Sequence, residues 1–441
     1  MLDTIKRALW GDVTREELQE FSLLAIAFFL IIGGYWMLHT IKNTTFMHLV
    51  NSESLPYAKM VSFVSLIVIV LLYNRLVDLL TDTKLIYIVT SFYGMLFLIF
   101  AYLIGQSSAG TDHLPLWANK GLGWSIYVAT ESLGSLVVTL FWSFVSTSVD
   151  TAVTTGADTA EAKKGYPLII FGGQVGGLLG TLLLSTHATK LGIPFLSCIA
   201  AGALLLIPFI IKLYTIKRVS TAKYPKKTRN ITGVMEGIKL IATRPYIVGI
   251  LVIATTFDIF SFFFEYQLYS AAHRTFGNLE KVTSFLGMFG SVTITTSLLF
   301  SLFCTSFFLR RFGVTACLML YPIIIACLVT YTWIFPNIWT FFITLAGIKS
   351  LSYALNNPCE EIMYIPTSHD VRFKAKSWID VQGARAAKAS GAIITTFFST
   401  LPMLLFYGSI ISLGCIGIWI IVAHLVGKTN QKLLAENKII E

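Results

Sequence analysis

"YTIKRVSTAKYPKKTRN", residues 214–230, lies near the middle of a chain of 441 residues. From Lys212 to Arg229 there are seven basic residues and no acid. On both sides of this basic stretch the sequence turns apolar. The whole chain is 55% hydrophobic and 13% charged, about half the charge of a soluble domain. The runs 85–104, 167–186, 191–211, 282–309, 313–336 and 401–423 contain no Asp, Glu, Lys or Arg. Each is long enough to cross about 30 Å of hydrocarbon as a helix. Further spans are interrupted by single charges. The reading gives twelve, near 21–41, 58–79, 85–104, 121–146, 167–186, 191–212, 246–268, 282–309, 313–334, 338–358, 378–400 and 403–426. The expected fold class is therefore an all-α membrane protein.

The basic stretch also sets the topology. Lys and Arg collect on the cytoplasmic side of membrane proteins, which places 214–230 inside. Lys6 and Arg7 place the N-terminus on the same side, and Lys428, Lys432 and Lys438 do so for the C-terminus. Six spans before the linker and six after satisfy all three. The expected organisation is a six-helix bundle over 1–212, a basic linker over 213–245 and a second six-helix bundle over 246–441. Residues 1–21, polar and amphipathic, read as an interfacial helix rather than a cleaved signal. The basic tracts are short and fall where topology requires them, so no nucleic-acid partner is expected.

The halves echo each other. Lys59 and Arg75 frame the second span, as Lys281 and Arg310 frame the eighth. A charged loop follows the fourth span and another the tenth. Each leads into a helix of small residues, Gly172, Gly173, Gly176, Gly177 and Gly180 in one, Gly383, Ala384, Ala387 and Gly391 in the other. Small residues let helix backbones approach where lipid gives no hydrophobic drive. Two pseudo-symmetric halves of six helices, with both termini inside, is the major facilitator plan, with a substrate site near mid-membrane between the halves.

A charged side chain at mid-bilayer costs about 2.5–3.5 kcal/mol on the insertion scale, so each one calls for a reason. Lys42 ends the first span and either snorkels to the interface or lines a polar path. Glu131 lies deep in the fourth span. Asp258 and Glu265 are in the seventh, where Asp258 either pairs within its helix or faces the path. Lys349 lies in the tenth. In the expected fold, helices one, four, seven and ten line the central cavity. Lysines bind phosphate as point charges. Neighbouring acids balance those lysines or carry protons. The segment 358–388, PCEEIMYIPTSHDVRFKAKSWIDVQGARAAK, holds four acids and five bases. Its first part reads as the turn between the tenth and eleventh spans. Arg385 and Lys388, three apart, share a helix face. Ion pairs between the halves are expected from Glu161, Lys163, Glu361, Lys376 and Asp380, with a solvated basic loop as the plainer reading. The six cysteines show no CxxC spacing and read as packing residues, so no metal and no cofactor is expected.

These residues carry a resemblance. Segment 358–388 is similar to the signature of the ATP/ADP translocase family of plastids and obligate intracellular bacteria. The matching positions include Pro358, Glu361, Met363–Pro366, Lys374, Lys376, Ile379, Asp380, Arg385 and Lys388. EAKKGYP, residues 161–167, resembles the segment after that family's fourth helix. FFFEYQ, residues 262–267, resembles its seventh helix and places a functional glutamate on Glu265. YWMLHTIKNT, residues 35–44, places the first-helix lysine on Lys42, and Glu131 fits the acid preceding Phe141 and Trp142. The resemblance implies exchange of ATP for ADP, with phosphate or a proton as further co-substrates, and no hydrolysis. The family usually has Arg and Asp where His39 and Asn43 stand, and Lys where Glu360 stands. It also has an Asn-Glu after the Phe-Trp pair, missing here. Those departures make the site less positive and keep a proton-coupled importer of another nucleotide or a dinucleotide as the alternative.

The expected protein is thus a monomeric nucleotide transporter in the inner membrane of an intracellular bacterium, in contact with lipid. No phosphate loop of the GxxxxGK[ST] type and no GxSxG or HExxH motif is present, so an enzyme is not expected. A membrane receptor or scaffold is a remoter reading; it requires Glu131→Gln and Lys349→Gln to leave function intact.

Overall fold

Polar backbone in hydrocarbon must find its partners within the segment, so spanning chains form helices or closed barrels. The computed structural model describes residues 15–108, 115–154, 165–218, 239, 241–368, 371, 375–398, 400–436 and 438–440. Residues 1–14 of the interfacial helix expected at the N-terminus, most of the basic linker and the pair Glu161 and Lys163 lie outside the described residues, and residues 15–21 belong to the first spanning helix.

The helices are α1 (Arg15–Leu49), α2 (Leu55–Leu79), α3 (Asp82–Ser108), α4 (Leu116–Thr154), α5 (Tyr166–Leu191), α6 (Ile193–Arg218), α7 (Pro245–Phe276) and α8 (Leu279–Phe300). They continue with α9 (Ser306–Ile334), α10 (Ile338–Leu351), α11 (Asn357–Met363), α12 (Ala384–Thr396) and α13 (Leu401–Ala435). Hydroxyls within the spans return to carbonyls one turn back. Thr40 donates to Trp36 O and Thr44 to Thr40 O, so few polar groups are left bare in lipid. Asn337 starts α10 with a capping box, accepting from the N–H groups of Trp339 and Thr340.

Among the described residues eleven helices are long and apolar enough to cross a membrane. The expected span at 378–400 is not one of them. It is a composite helical run made of Lys376–Trp378, a π turn at Ile379–Gly383 and α12. It carries Asp380, Arg385 and Lys388, which lowers its hydropathy. The expected turn after the tenth span also begins later than the sequence reading put it. A π turn at Ser352–Asn356 leads into α11, with Pro358 in its first turn, so Glu360 and Glu361 are still helical and the turn opens at Tyr364. A third π turn, Ser301–Thr305, joins α8 to α9, and its Thr305 hydroxyl donates to Ala354 O within the second. The two spans here part at Gly313, whose φ of 78° suits only glycine.

The chain forms two compact units. One comprises Met1–Ser52, Val64–Lys227 and Phe276–Ser291; the other comprises Glu53–Phe63, Thr228–Thr275 and Val292–Glu441. The first unit is built on a seam between α1 and α5. A Cβ on Gly172, Gly176 or Gly180 would lie 2.6, 2.2 or 2.7 Å from the carbonyl oxygens of Ala25, Phe29 and Gly33. Glycine at every fourth position brings the two backbones into contact. The first turns of α8 join this unit through Thr283, whose hydroxyl donates to that of Thr44 at 2.9 Å, and Ser291, which donates to Thr181 at 3.0 Å. The second unit is centred on Trp419 of α13. Its ring packs edge-on to Tyr321 of α9 at 5.1 Å and against Phe260 of α7 at 6.1 Å. The Tyr321 hydroxyl donates to Ile348 O of α10 at 3.0 Å.

Candidate functional site

In the first unit, α1 presents Lys42 toward α4. Its side chain is 1% exposed, so it does not snorkel. The ammonium pairs with Glu131 and sits 4.4 Å above the centre of the Tyr127 ring. Tyr127 and Glu131 are one turn apart on α4, so the same face offers the lysine a carboxylate and a π cloud. Phe46 walls this corner, packing edge-on against Trp124 and Tyr127 at 5.2 Å from each. The Glu131 side chain keeps 20% of its surface open. Further along α1, Tyr35 and Trp36 lie 5.7 and 5.9 Å from the ring of His39. Tyr35 lies over Gly134, where a Cβ would fall 2.3 Å from its ring. Gly134 is one turn beyond Glu131. Asn43 donates to His39 O, an arrangement local to α1.

In the second unit, α7 supplies two carboxylates two turns apart. Glu265 accepts from Lys349 of α10 at 3.0 Å, with the side chains 17% and 16% exposed. Asp258, 4% exposed, is 3.3 Å from the ammonium of Lys388 on α12, which is 41% exposed. Asp258 therefore pairs between helices rather than within its own. Arg385 stands three residues before Lys388 on α12 and is half-buried.

The gating residues expected from the sequence behave differently. Lys376 pairs with Glu361 and lies 5.5 Å from the centre of the Tyr364 ring. Both residues belong to the second unit, so this pair lies inside one unit. Asp380 is exposed and has Lys376 as its neighbouring cation. Glu360 accepts from the Asn356 amide.

Each deep lysine thus pairs with a carboxylate on a neighbouring helix. Breaking a buried pair from one side leaves an uncompensated charge, which costs several kcal/mol (about 3–5). An incoming phosphate can replace the carboxylate at the ammonium without leaving it bare. Tyr127 went unread in the sequence. Its place one turn before Glu131 was the available signal.

A family model described as TLC ATP/ADP transporter matches residues 1–109, 122–342 and 342–430. The chain is 23% identical to "ADP,ATP carrier protein 3" of Rickettsia prowazekii (strain Madrid E), over 95% of each chain. It is 25% identical to "ADP,ATP carrier protein 2, chloroplastic" of Arabidopsis thaliana, over 94% of this chain and 75% of that one. Among solved structures, a bacterial homologue of the iron transporter ferroportin in an inward-facing state is similar at a TM-score of 0.64 and 10% identity, over 93% of this chain and 99% of that one. A mutant of the nucleoside transporter NupG is similar at a TM-score of 0.64 and 14% identity, over 92% of this chain and 99% of that one. These two likenesses show the fold alone.

Proposed function

The chain belongs to the TLC ATP/ADP transporter family, and from that premise we propose that it exchanges ATP for ADP across a membrane by alternating access. One observation carries the reading furthest. Two lysines in membrane helices, Lys42 and Lys349, pair with carboxylates of other membrane helices, Glu131 and Glu265. A lysine held this way is an anion site kept neutral until phosphate arrives. Lys42 and Lys349 receive phosphate oxygens; Glu131 and Glu265 release them and take them back. Asp258, Arg385 and Lys388 contribute to the same task from α7 and α12. The relatives are named as carriers, and the nucleotide is cargo rather than fuel. The protein is a multi-pass membrane protein acting as a monomer, with both termini on the cytoplasmic side of a bacterial inner membrane.

Labelled ATP uptake into vesicles loaded with ADP tests this against empty vesicles. Exchange requires uptake to depend strongly on internal nucleotide. Uptake that ignores internal nucleotide and collapses with an uncoupler would overturn exchange in favour of proton-coupled import of a nucleotide or dinucleotide. The observation that favours this second reading is Asp258, a carboxylate 4% exposed whose partner Lys388 is 41% exposed. A carboxylate so placed can exchange its lysine for a proton when the lysine swings out.

A further inference from the structure

The turn that follows α11 is gripped from two sides, both within the second unit. Thr367, at its centre, is 3% exposed, and its hydroxyl donates to Tyr364 O at 2.6 Å. On one side stands Tyr246, in the first turn of α7. Its hydroxyl donates to Met363 O at 2.8 Å and accepts from the Asn430 amide of α13 at 2.9 Å. Both side chains are buried, at 7% and 1% exposed.

On the other side the chain beyond α13 doubles back. The Lys438 N–H donates to Leu433 O at 3.0 Å, and the Lys438 ammonium is 2.7 Å from the Glu436 carboxylate. Ile440 then runs parallel to Thr367 as a single bridge. Its N–H donates to Pro366 O at 2.9 Å, and its carbonyl accepts from the Ser368 N–H at 2.8 Å.

The position of this turn gives the grip its meaning. π turns at Ser352–Asn356 and Ile379–Gly383 flank it. A π turn closes its hydrogen bonds over one more residue than an α turn, and such turns are frequent at functional sites. Lys349 stands three residues before the first; Arg385 and Lys388 follow the second. The turn therefore lies between two helical segments that carry candidate substrate residues, each interrupted by a π turn.

We propose that Tyr246, Asn430 and the Ile440 strand form a clasp that closes on the turn in one transport conformation and opens in the other. The tail and Tyr246 are positioning residues for exchange. The proposal rests on the transport reading above, and its test separates the two. Wild-type, Tyr246→Phe, Ile440→Pro and, as control, Ile439→Ala proteins are reconstituted full-length in vesicles. Half-saturation is measured for ATP on one face and ADP on the other. Loss of one net hydrogen bond, as in Ile440→Pro, changes the balance of two conformations about fivefold, loss of the two made by Tyr246 changes it more, and the ratio of the two half-saturation constants changes with it. We expect that change for Tyr246→Phe and Ile440→Pro and none for Ile439→Ala. An unchanged ratio, with only a lower unfolding temperature, would assign a purely structural role and end the proposal. Ile440→Pro removes one backbone donor from a terminal strand, so it carries the test if Tyr246→Phe fails to fold. Amide hydrogen exchange at Ser368 and Ile440 reads the clasp without transport. Protection should fall severalfold when ATP is added. Protection indifferent to nucleotide would refute the clasp even if exchange itself were not observed.

Discussion

Replacing Lys42 with Met tests the site at its most buried point. The ammonium is 1% exposed and is held by Glu131 and the Tyr127 face. Its loss strands a carboxylate that retains 20% of its side-chain surface toward solvent. One-sided removal of a buried pair costs about 3–5 kcal/mol. The partial opening of Glu131 puts this case near the lower end, about 3 kcal/mol. With an unfolding entropy of about 2.1 cal/mol/K per residue, that loss lowers the unfolding temperature by about 3 °C. The double variant Lys42→Met with Glu131→Met removes both charges and should regain most of the stability. Neither variant should regain transport, because the phosphate has lost its cation. Thermal unfolding in detergent and ATP–ADP counterflow in vesicles read the two effects separately. A double variant that transports like wild type would refute the phosphate role of Lys42. A single variant as stable as wild type would refute the burial argument.

Lys349→Gln strands Glu265 and should cut ATP uptake tenfold or more while protein abundance in the membrane falls less; normal uptake would remove Lys349 from the site. Lys376→Gln breaks a pair whose members are 25% and 64% exposed, so stability should change by less than about 1 kcal/mol in the same thermal scan. Gly176→Ala sets a methyl 2.2 Å from Phe29 O and should abolish folded protein, whereas nothing lies within 4 Å of a Cβ on Gly414. Size-exclusion profiles of Gly176→Ala and Gly414→Ala compare the two directly.

The apolar runs fixed where most helices would be found, because twenty uncharged residues in a row have one economical structure in lipid. What the runs could not convey was geometry inside the helices. A π turn adds a residue without any compositional mark, so the late opening of the turn at Tyr364 was not legible. Asp258 and Lys388 are far apart in the chain, and only packing makes them neighbours. Lys42 stood at the end of an apolar run, where snorkelling and burial have the same sequence signature; the Tyr127 ring decides between them. Glu361 and Lys376 pair within the second unit, a partnership that a separation of fifteen residues does not announce in the sequence. The glycines of α5 were legible as a close-packing stripe, since every fourth residue returns to the same face, but their partners on α1 were not.

The lysine–carboxylate pairs have an electrical consequence. A membrane potential does about 2.3 kcal/mol of work per 100 mV on each elementary charge carried across. Lys42 with Glu131, Lys349 with Glu265 and Lys388 with Asp258 each sum to zero. While closed, these three pairs move through the field as dipoles and carry no net current. On the proposed reading, voltage acts through the nucleotide's phosphates and the remaining ionised side chains, Arg385 among them.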